Sequence, residues 1–399
     1  MNKKIHGYYL VNGKTFDTKV HALIYASNIL NSADQKLYNQ LVAYDSLVKW
    51  HFNDEVFGSY NWTVEPEQSL ESLYLKRARE LRERYDYLII YYSGGCDSHN
   101  MVMSFLNQGL KIDEIVVHHV DEGIELLENY GLDITSAKMQ PLTETKFQVV
   151  PRLKDISAID PSIKIKMFDT SQKTVDTFSS AQSGEWVLKV REELNPIDSS
   201  KYNFTCFDEY KKAIESNKKI GILVGLDKPS LKIEDGKIHL VFLDRRFNIN
   251  LFYTEVEKYS NAQLEFFYSS PDACDLICKQ AHSLKNWILS SKDNLKAFIS
   301  ITNSDAATAK LYLEENARLV LYPNTWKPEW FQAKKSVLDW HSEADLWFHV
   351  RFTSESTQGA CWRDGIRYIR KHVDKTFLLS YNDIGYDGFR VFTKKYSLT

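Results

Sequence analysis

Between residues 69 and 255 the hydrophobic and polar positions switch repeatedly between two periods. In SLESLYLKRARELRERYDYL the apolar positions Leu70, Leu73, Leu75 and Leu81 recur at helical spacing, and the arginine-rich face opposite them is read as solvated. The run YLIIYY that follows is apolar without alternation, which predicts a strand buried on both faces. SHNMVMSFLNQGL then predicts a helix stopped near Gly109, and EIVVHHV (114–120) predicts a second buried strand. The rhythm continues with a helix around TETKFQVVPRLKDI, a strand at IKIKMFD, a helix around FDEYKKAIESN and a strand at KIGILVG. Strand, helix and strand in this order close through right-handed crossovers, so the pattern predicts an α/β fold with a doubly wound parallel sheet covered by helices. KIHLVFLD, after a turn at Asp235 and Gly236, predicts an added edge hairpin.

The flanking segments are patterned differently. Residues 1–66 mix short apolar and aromatic segments (HGYYLV, HALIYASNIL, LVKWHFND) and end at Pro66, which marks a small N-terminal module before an α/β domain at 67–255. From 256 to 399 the β signal fades and helical periodicity dominates, as in SPDACDLICKQAHSLKNWILSS and DAATAKLYLEENARLVLY, giving a mostly α C-terminal region. Five of the nine tryptophans (Trp326, Trp330, Trp340, Trp347, Trp362) fall there and are expected to pack against the α/β domain.

Composition narrows the function classes. The chain has 50 Lys and Arg against 53 Asp and Glu, a net charge of −3, so no strong overall field steers it toward nucleic acid or an anionic membrane. No run of about 18 apolar residues is present, and no apolar h-region follows the lysines of MNKKIHGYYLVNGKTF, so the expected location is the cytoplasm with no membrane partner. Cys96, Cys206, Cys274, Cys278 and Cys361 are an odd and sparse set that predicts free thiols. Cys274 and Cys278 stand one helical turn apart with no second pair at zinc-site spacing, so both are expected as buried helix residues.

The candidate chemistry lies where the first buried strand stops, at Ser93-Gly94-Gly95-Cys96-Asp97-Ser98. In an open parallel sheet, ligands bind beyond the carboxyl ends of the strands. Two adjacent glycines let successive amides converge on an anion at the positive end of the next helix, an arrangement suited to phosphate. No Gly-Lys-Ser/Thr follows and the third glycine of a dinucleotide fingerprint is missing, so neither common nucleotide loop is present.

The string resembles the SGGxDS loop of the PP-loop ATP pyrophosphatases, the family that includes asparagine synthetase, GMP synthetase, NAD synthetase and tRNA lysidine synthetase. That resemblance implies a loop holding the β- and γ-phosphates of ATP while a substrate oxygen attacks the α-phosphate. Ser93, Gly94, Gly95 and Ser98 would contact phosphate, Cys96 would fill the free position, and Asp97 would hold Mg²⁺. It further implies adenine contacts from backbone groups at Val117 and His118, and metal and phosphate contacts from Asp227 and Lys228 in GLDKP, where a plain turn ended by Pro229 is the other reading. Asp97 and Lys228 are the expected catalytic residues. GLDKPS with DGKIHLVFLD, YSSPDACDLICKQAH and GFRVFTKKYSLT is also similar to bacteriophage-encoded PP-loop proteins of unassigned substrate, which would place the chain in a host cytoplasm.

Departures from the family narrow the reaction. Position 2 is Asn2 and not the cysteine of glutamine-dependent asparagine synthetases, so ammonia or an amine would come from solution or a partner. The four-cysteine zinc cluster of 7-cyano-7-deazaguanine synthases and the CxxC pairs of tRNA thiolases are missing, which disfavours sulfur chemistry. A helix N-terminus can depress the Cys96 thiol pKa, although a bland small-residue role is the expectation. His118 and the next histidine, adjacent on a strand, point to opposite faces and do not suit one metal ion. Arg363, Arg367, Arg370 and Lys371 share a helix face that is either a nucleic-acid contact or a solvated surface. The expected function is an AMP-forming ligase that activates a carbonyl or carboxylate of a small-molecule or nucleoside substrate for attack by an amine. Modification of a tRNA or DNA base by the same adenylation, and a nucleotide-binding module without turnover, stand beside it.

Overall fold

The first apolar segment, YYLV, forms strand β1 (Tyr8–Val11) of a small antiparallel sheet. It is described, like the rest of the fold, from a computed structural model covering residues 7–16, 19–34, 36–39, 47–119, 145–169, 208–225, 228–244, 261–303, 307–330, 357–374 and 391–399. β1 turns into β2 (Lys14–Phe16) through Asn12 at φ 46° and Gly13 at φ 79°, the paired positive φ values of a tight two-residue hairpin. Helix α1 (Lys19–Ser32) follows, and β3 (Val48–His51) pairs with the other edge of β1. A short helix, α2 (Asp54–Ser59), leads out of this module.

The periodic stretch after Ser69 forms α3 (Leu70–Arg84), capped by the Ser69 hydroxyl accepting from the Ser72 N–H at 3.1 Å. Its arginine-rich face is not wholly solvated as the pattern suggests. Arg77 is 2% exposed, and its guanidinium donates to the carbonyls of Phe266 (2.9 Å) and Phe267 (3.2 Å). Then come β4 (Tyr87–Tyr91), α4 (Cys96–Leu106), β5 (Glu114–His119), α5 (Val150–Ile159), β6 (Lys164–Asp169), α6 (Asp208–Glu215) and β7 (Ile220–Val224). The rest of the described chain supplies the hairpin β8 (Ser230–Glu234) and β9 (Lys237–Val241), strand β10 (Ala262–Phe266), helices α7 (Cys274–Leu289), α8 (Lys292–Asn303), α9 (Ala307–Leu321) and α10 (Thr357–His372), and β11 (Tyr396–Ser397).

Five strands make one parallel sheet in the order β10-β7-β4-β5-β6. The first of them in sequence, β4, lies at the centre; the chain adds β5 and β6 on one side and β7 and β10 on the other. That reversal is the switch point at which open α/β sheets bind ligands, here between β4 and β7. Alternate residues of β4 serve opposite faces, as a strand requires. Leu88 and Ile90 join a core with α3, α4, α5 and α7, whereas Tyr87, Ile89 and Tyr91 pack with Ala213 of α6. The chain is therefore an α/β protein with helices on both faces of a parallel sheet.

Two expectations are corrected here. The β8–β9 hairpin does not extend the main sheet; it forms a separate three-stranded sheet with β11. The β signal also does not end at residue 255, because β10 is an edge strand of the main sheet, paired along its length with β7. Its sequence AQLEF reads as polar because the Glu265 carboxylate is drawn into the structure by Arg84 (3.0 Å) and the Tyr85 hydroxyl. A third core joins the N-terminal sheet and α1 to β9, α7, α10 and Tyr396, so the boundaries at 66 and 255 do not enclose separate cores.

Candidate active site

β4 ends at Tyr91, and the chain turns through residues 92–95 before α4 opens at Cys96. Gly94 sits at φ 73°, and a Cβ there would lie 2.5 Å from Val149 Cγ2, so both the left-handed backbone and the close neighbour require glycine. Ser98 Oγ accepts from the Ser93 N–H (3.3 Å), donates to the Gly95 carbonyl (3.2 Å) and lies 3.2 Å from Ser93 Oγ, which accepts from the Gly95 N–H at 3.3 Å. All six loop residues are thus gathered on one turn at the positive end of a helix. Gly225, just past β7, comes so near that a Cβ would stand 3.1 Å from Ser98 Cα and N. The end of β7 and the loop after β4 face each other across the switch point.

Asp97 organises the charge around this turn. Lys228 Nζ lies 3.2 Å from Oδ2 and 3.4 Å from Oδ1, and the Tyr322 hydroxyl donates to Oδ1 at 2.6 Å. The Tyr268 hydroxyl donates to the Asp97 backbone carbonyl at 2.8 Å and accepts from Asn100 Nδ2 at 3.0 Å. Burial pushes the Asp97 carboxyl up, but Lys228, Tyr322 and the Arg318 guanidinium outweigh it and hold the carboxyl below its ordinary value. Burial and the charge of Asp97 push the Tyr322 phenol far up, so it remains a donor. The side chains of Lys228 and Asp97 are 24% and 22% exposed, so this pair is open to a ligand in a way a core ion pair is not.

The two expected catalytic residues, Asp97 and Lys228, are therefore in contact although 131 positions separate them. Asp227 lies outside the described residues. Lys228 and Tyr322 already hydrogen-bond the Asp97 oxygens, so a Mg²⁺ ion held there would share the carboxylate with an ammonium. Among the described residues no group of three or more His, Cys, Asp or Glu is placed to share a metal ion. Val117 is 1% exposed and faces the α3 and α4 core, so only its backbone could meet a base. The His118 ring lies on the opposite face, 5.4 Å from Tyr91 and 5.6 Å from Phe168. Both stand at the end of β5 level with the loop, since the Tyr92 N–H donates to the Val116 carbonyl.

The Cys96 thiol is buried, and burial together with Asp97 raises its pKa despite Lys228 and Arg318, opposite to the shift an activated thiol needs. Cys274 and Cys278 are buried and free as expected, with pKa values pushed up by burial to about 12 and about 11. Arg367 is exposed and paired with Asp364 at 2.9 Å, as on a solvated helix face. The sequence pattern singles out none of Tyr268, Tyr322, Arg318 or Arg152. The first two read as core aromatics and the others as single cations in apolar helices; only the tertiary fold turns them toward the loop.

His99, one residue past the motif, is 6% exposed; its Nδ1 lies 3.0 Å from the Tyr92 hydroxyl and its ring meets Trp330 edge-on. Burial, helped by the nearby Arg152 charge, lowers its pKa from 6.5 to about 4. A depressed histidine is neutral in the folded chain and protonated in the unfolded one between those values. Folding stability should then be complete above pH 6.5 and fall as the pH drops toward 4, by on the order of 2 kcal/mol from this residue at pH 5 and about 3 kcal/mol at pH 4. Urea titrations at pH 7 and pH 5 check this: His99→Gln should narrow the difference between the two.

The arrangement sets two serine hydroxyls and a helix N-terminus beside the cation Lys228, with the Arg318 charge acting on the same carboxylate and Arg152 on the Gly94 carbonyl, a setting that suits an anion with several phosphate oxygens. In comparisons with known proteins, no family model matches the chain and no match was found among curated proteins.

Proposed function

We propose that the chain is an ATP-dependent, AMP-forming ligase whose Ser93–Ser98 loop holds the β- and γ-phosphates. One observation carries the reading: a complete SGGxDS turn stands at the sheet's switch point, with Gly225 pressed against it and Lys228 beside it. The resemblance of that turn to the PP-loop pyrophosphatases supplies the direction of cleavage. A substrate carbonyl or carboxylate oxygen attacks the α-phosphorus, the bond to the bridging oxygen breaks, and pyrophosphate leaves with that electron pair. An amine or ammonia then displaces AMP from the activated carbon.

The chain's own groups act by position and charge. Loop amides and the Ser93 and Ser98 hydroxyls orient the phosphates, and Lys228 lies where negative charge grows as pyrophosphate departs. Asp97 holds that ammonium in place, and Lys228 and Tyr322 together hold the Asp97 carboxyl below its ordinary value. Asp97 is the residue that would hold Mg²⁺, sharing its carboxylate with Lys228, and the ion would supply further charge stabilisation to the phosphates.

The test is product analysis with ATP labelled at the α- or γ-phosphate, using carboxylic acids, nucleosides and polynucleotides as acceptors with ammonia or amines. AMP and pyrophosphate are expected, with turnover reduced roughly 100-fold or more in Lys228→Ala, the scale of losing one charge-stabilising donor. ADP and phosphate, or ATP retained without turnover with every acceptor, would overturn the reading. Turnover with polynucleotide alone would assign the acceptor to a nucleic-acid base.

A further inference from the structure

The phosphate turn is held from behind by residues that lie more than fifty positions further along the chain. Residues 145–149 form a wide π-helical turn into α5, which carries Pro151 in its first turn, and this segment docks on Gly94. Val149 packs on the Gly94 Cα, and the Arg152 guanidinium donates through Nη1 to the Gly94 carbonyl. Arg152 is only 3% exposed, although it carries a charge. Its Nη2 donates to Gln148 Oε1 at 2.6 Å, and its Cζ lies over the Trp330 ring, 4.3 Å from the centroid, and 5.2 Å from that of Trp326. A planar guanidinium held on both an edge and a face has little freedom left.

The Gly94 carbonyl and the Gly95 N–H belong to one peptide plane and point in opposite directions across it. Fixing the carbonyl toward Arg152 therefore fixes the Gly95 N–H away from it, on the side where Ser93 Oγ lies. Glycine at position 94 gives this peptide wide rotational freedom, and within the turn the Gly95 N–H is held by a long 3.3 Å contact to Ser93 Oγ, so Arg152 adds a restraint from outside.

We propose that Arg152 is the positioning residue of the phosphate turn: without touching the nucleotide, it sets the Gly94–Gly95 peptide so that the Gly95 N–H faces the bound phosphate, and Gln148, Trp326 and Trp330 hold Arg152 in that pose. This rests on the phosphate reading of the loop. It also gives the tryptophan-rich C-terminal region a part in nucleotide binding, because Trp326 and Trp330 follow α9. Charge alone would be a different role, and Arg152→Lys separates the two, since an ammonium keeps the charge and loses the fork and the flat face.

The experiment is calorimetric titration of the full chain with inorganic pyrophosphate, paired with NMR titration of the His99 imidazole, which senses the charge at position 152. The expected result is binding by the unaltered chain and a tenfold or greater weakening in Arg152→Lys, with the His99 titration left near its original position. In Arg152→Met binding should weaken as much while His99 titrates higher. Gln148→Leu, which removes one restraint on the guanidinium and keeps the arginine, should weaken binding severalfold and covers the case in which the Arg152 variants fail to fold. Pyrophosphate binding undiminished in Arg152→Lys, or in Gln148→Leu where only that variant folds, overturns the inference and leaves the phosphate reading standing. No binding by the unaltered chain overturns both.

Discussion

Gly94→Ala should abolish measurable pyrophosphate and ATP binding, weakening it by 100-fold or more, and should cost on the order of 3 kcal/mol of folding stability. Two separate penalties add at this residue. A non-glycine residue at φ 73° is strained, at about 1–3 kcal/mol. The new Cβ would also stand 2.5 Å from Val149 Cγ2 and 3.3 Å from Val149 Cα, and overpacking of this kind costs roughly 1–3 kcal/mol. The cheapest relief is to rotate the Gly94–Gly95 peptide or to push α5 outward, and either movement takes the Arg152 guanidinium off the Gly94 carbonyl. Binding should therefore fall along with stability, by a comparable free energy. Adding Val149→Ala removes the methyl in the way and should restore part of the stability, while the φ penalty and the contact with the Val149 backbone remain. Urea unfolding and calorimetric titration of the single and double variants measure both effects. Unchanged pyrophosphate affinity in Gly94→Ala would show that this turn is not where the phosphates sit.

The ease with which this loop is found in the sequence, and the difficulty of finding what surrounds it, have the same physical origin. β4 announces itself because a strand covered on both faces must be apolar at every position, and the chain can leave it for a helix through so tight a turn only with glycine. Those are local requirements, written in consecutive residues. Lys228 is partly legible, since it follows the glycine that ends β7, and β7 is as apolar as β4. Tyr322, Arg318 and Arg152 are not legible, because their role depends on which helix end faces the switch point, and that is decided by packing between elements far apart in sequence. β10 is missed for a related reason. Its Glu265 reads as a surface residue until Arg84 and Tyr85, 180 or so positions earlier, are brought against it. The separate sheet formed by β8, β9 and β11 is likewise invisible locally, since the last strand arrives from the other end of the chain.

The same logic makes an inconspicuous pair near the middle of the chain a large determinant of stability. In VFLDRRF, Asp244 looks like a turn residue, yet its side chain is fully buried, with Oδ2 3.0 Å from Lys19 Nζ and 2.6 Å from the Tyr9 hydroxyl. Oδ1 accepts from the Val391 N–H at 3.3 Å. One carboxylate thus ties the first sheet, the start of α1 and the segment before β11 into one core. Asp244→Ala would take from the Lys19 ammonium, 1% exposed, its carboxylate at 3.0 Å, and breaking a buried pair in this way costs about 3–5 kcal/mol. Lys19→Met should cost less, because Tyr9 and Val391 continue to donate to the carboxylate. Replacing both together, Lys19→Met with Asp244→Leu, should cost much less than the sum of the two single changes, since each single change breaks the same contact and the double change removes both of its charges. Urea unfolding of the four chains, followed by tryptophan fluorescence and far-ultraviolet circular dichroism, tests the cycle. If the first sheet and the C-terminal strand are one cooperative unit with the α/β core, the two signals move together in every variant. A loss below 1 kcal/mol in Asp244→Ala, or a fluorescence transition that separates from the dichroism in the unaltered chain, would show that the N-terminal module is a domain of its own and that Asp244 does not join it to the rest.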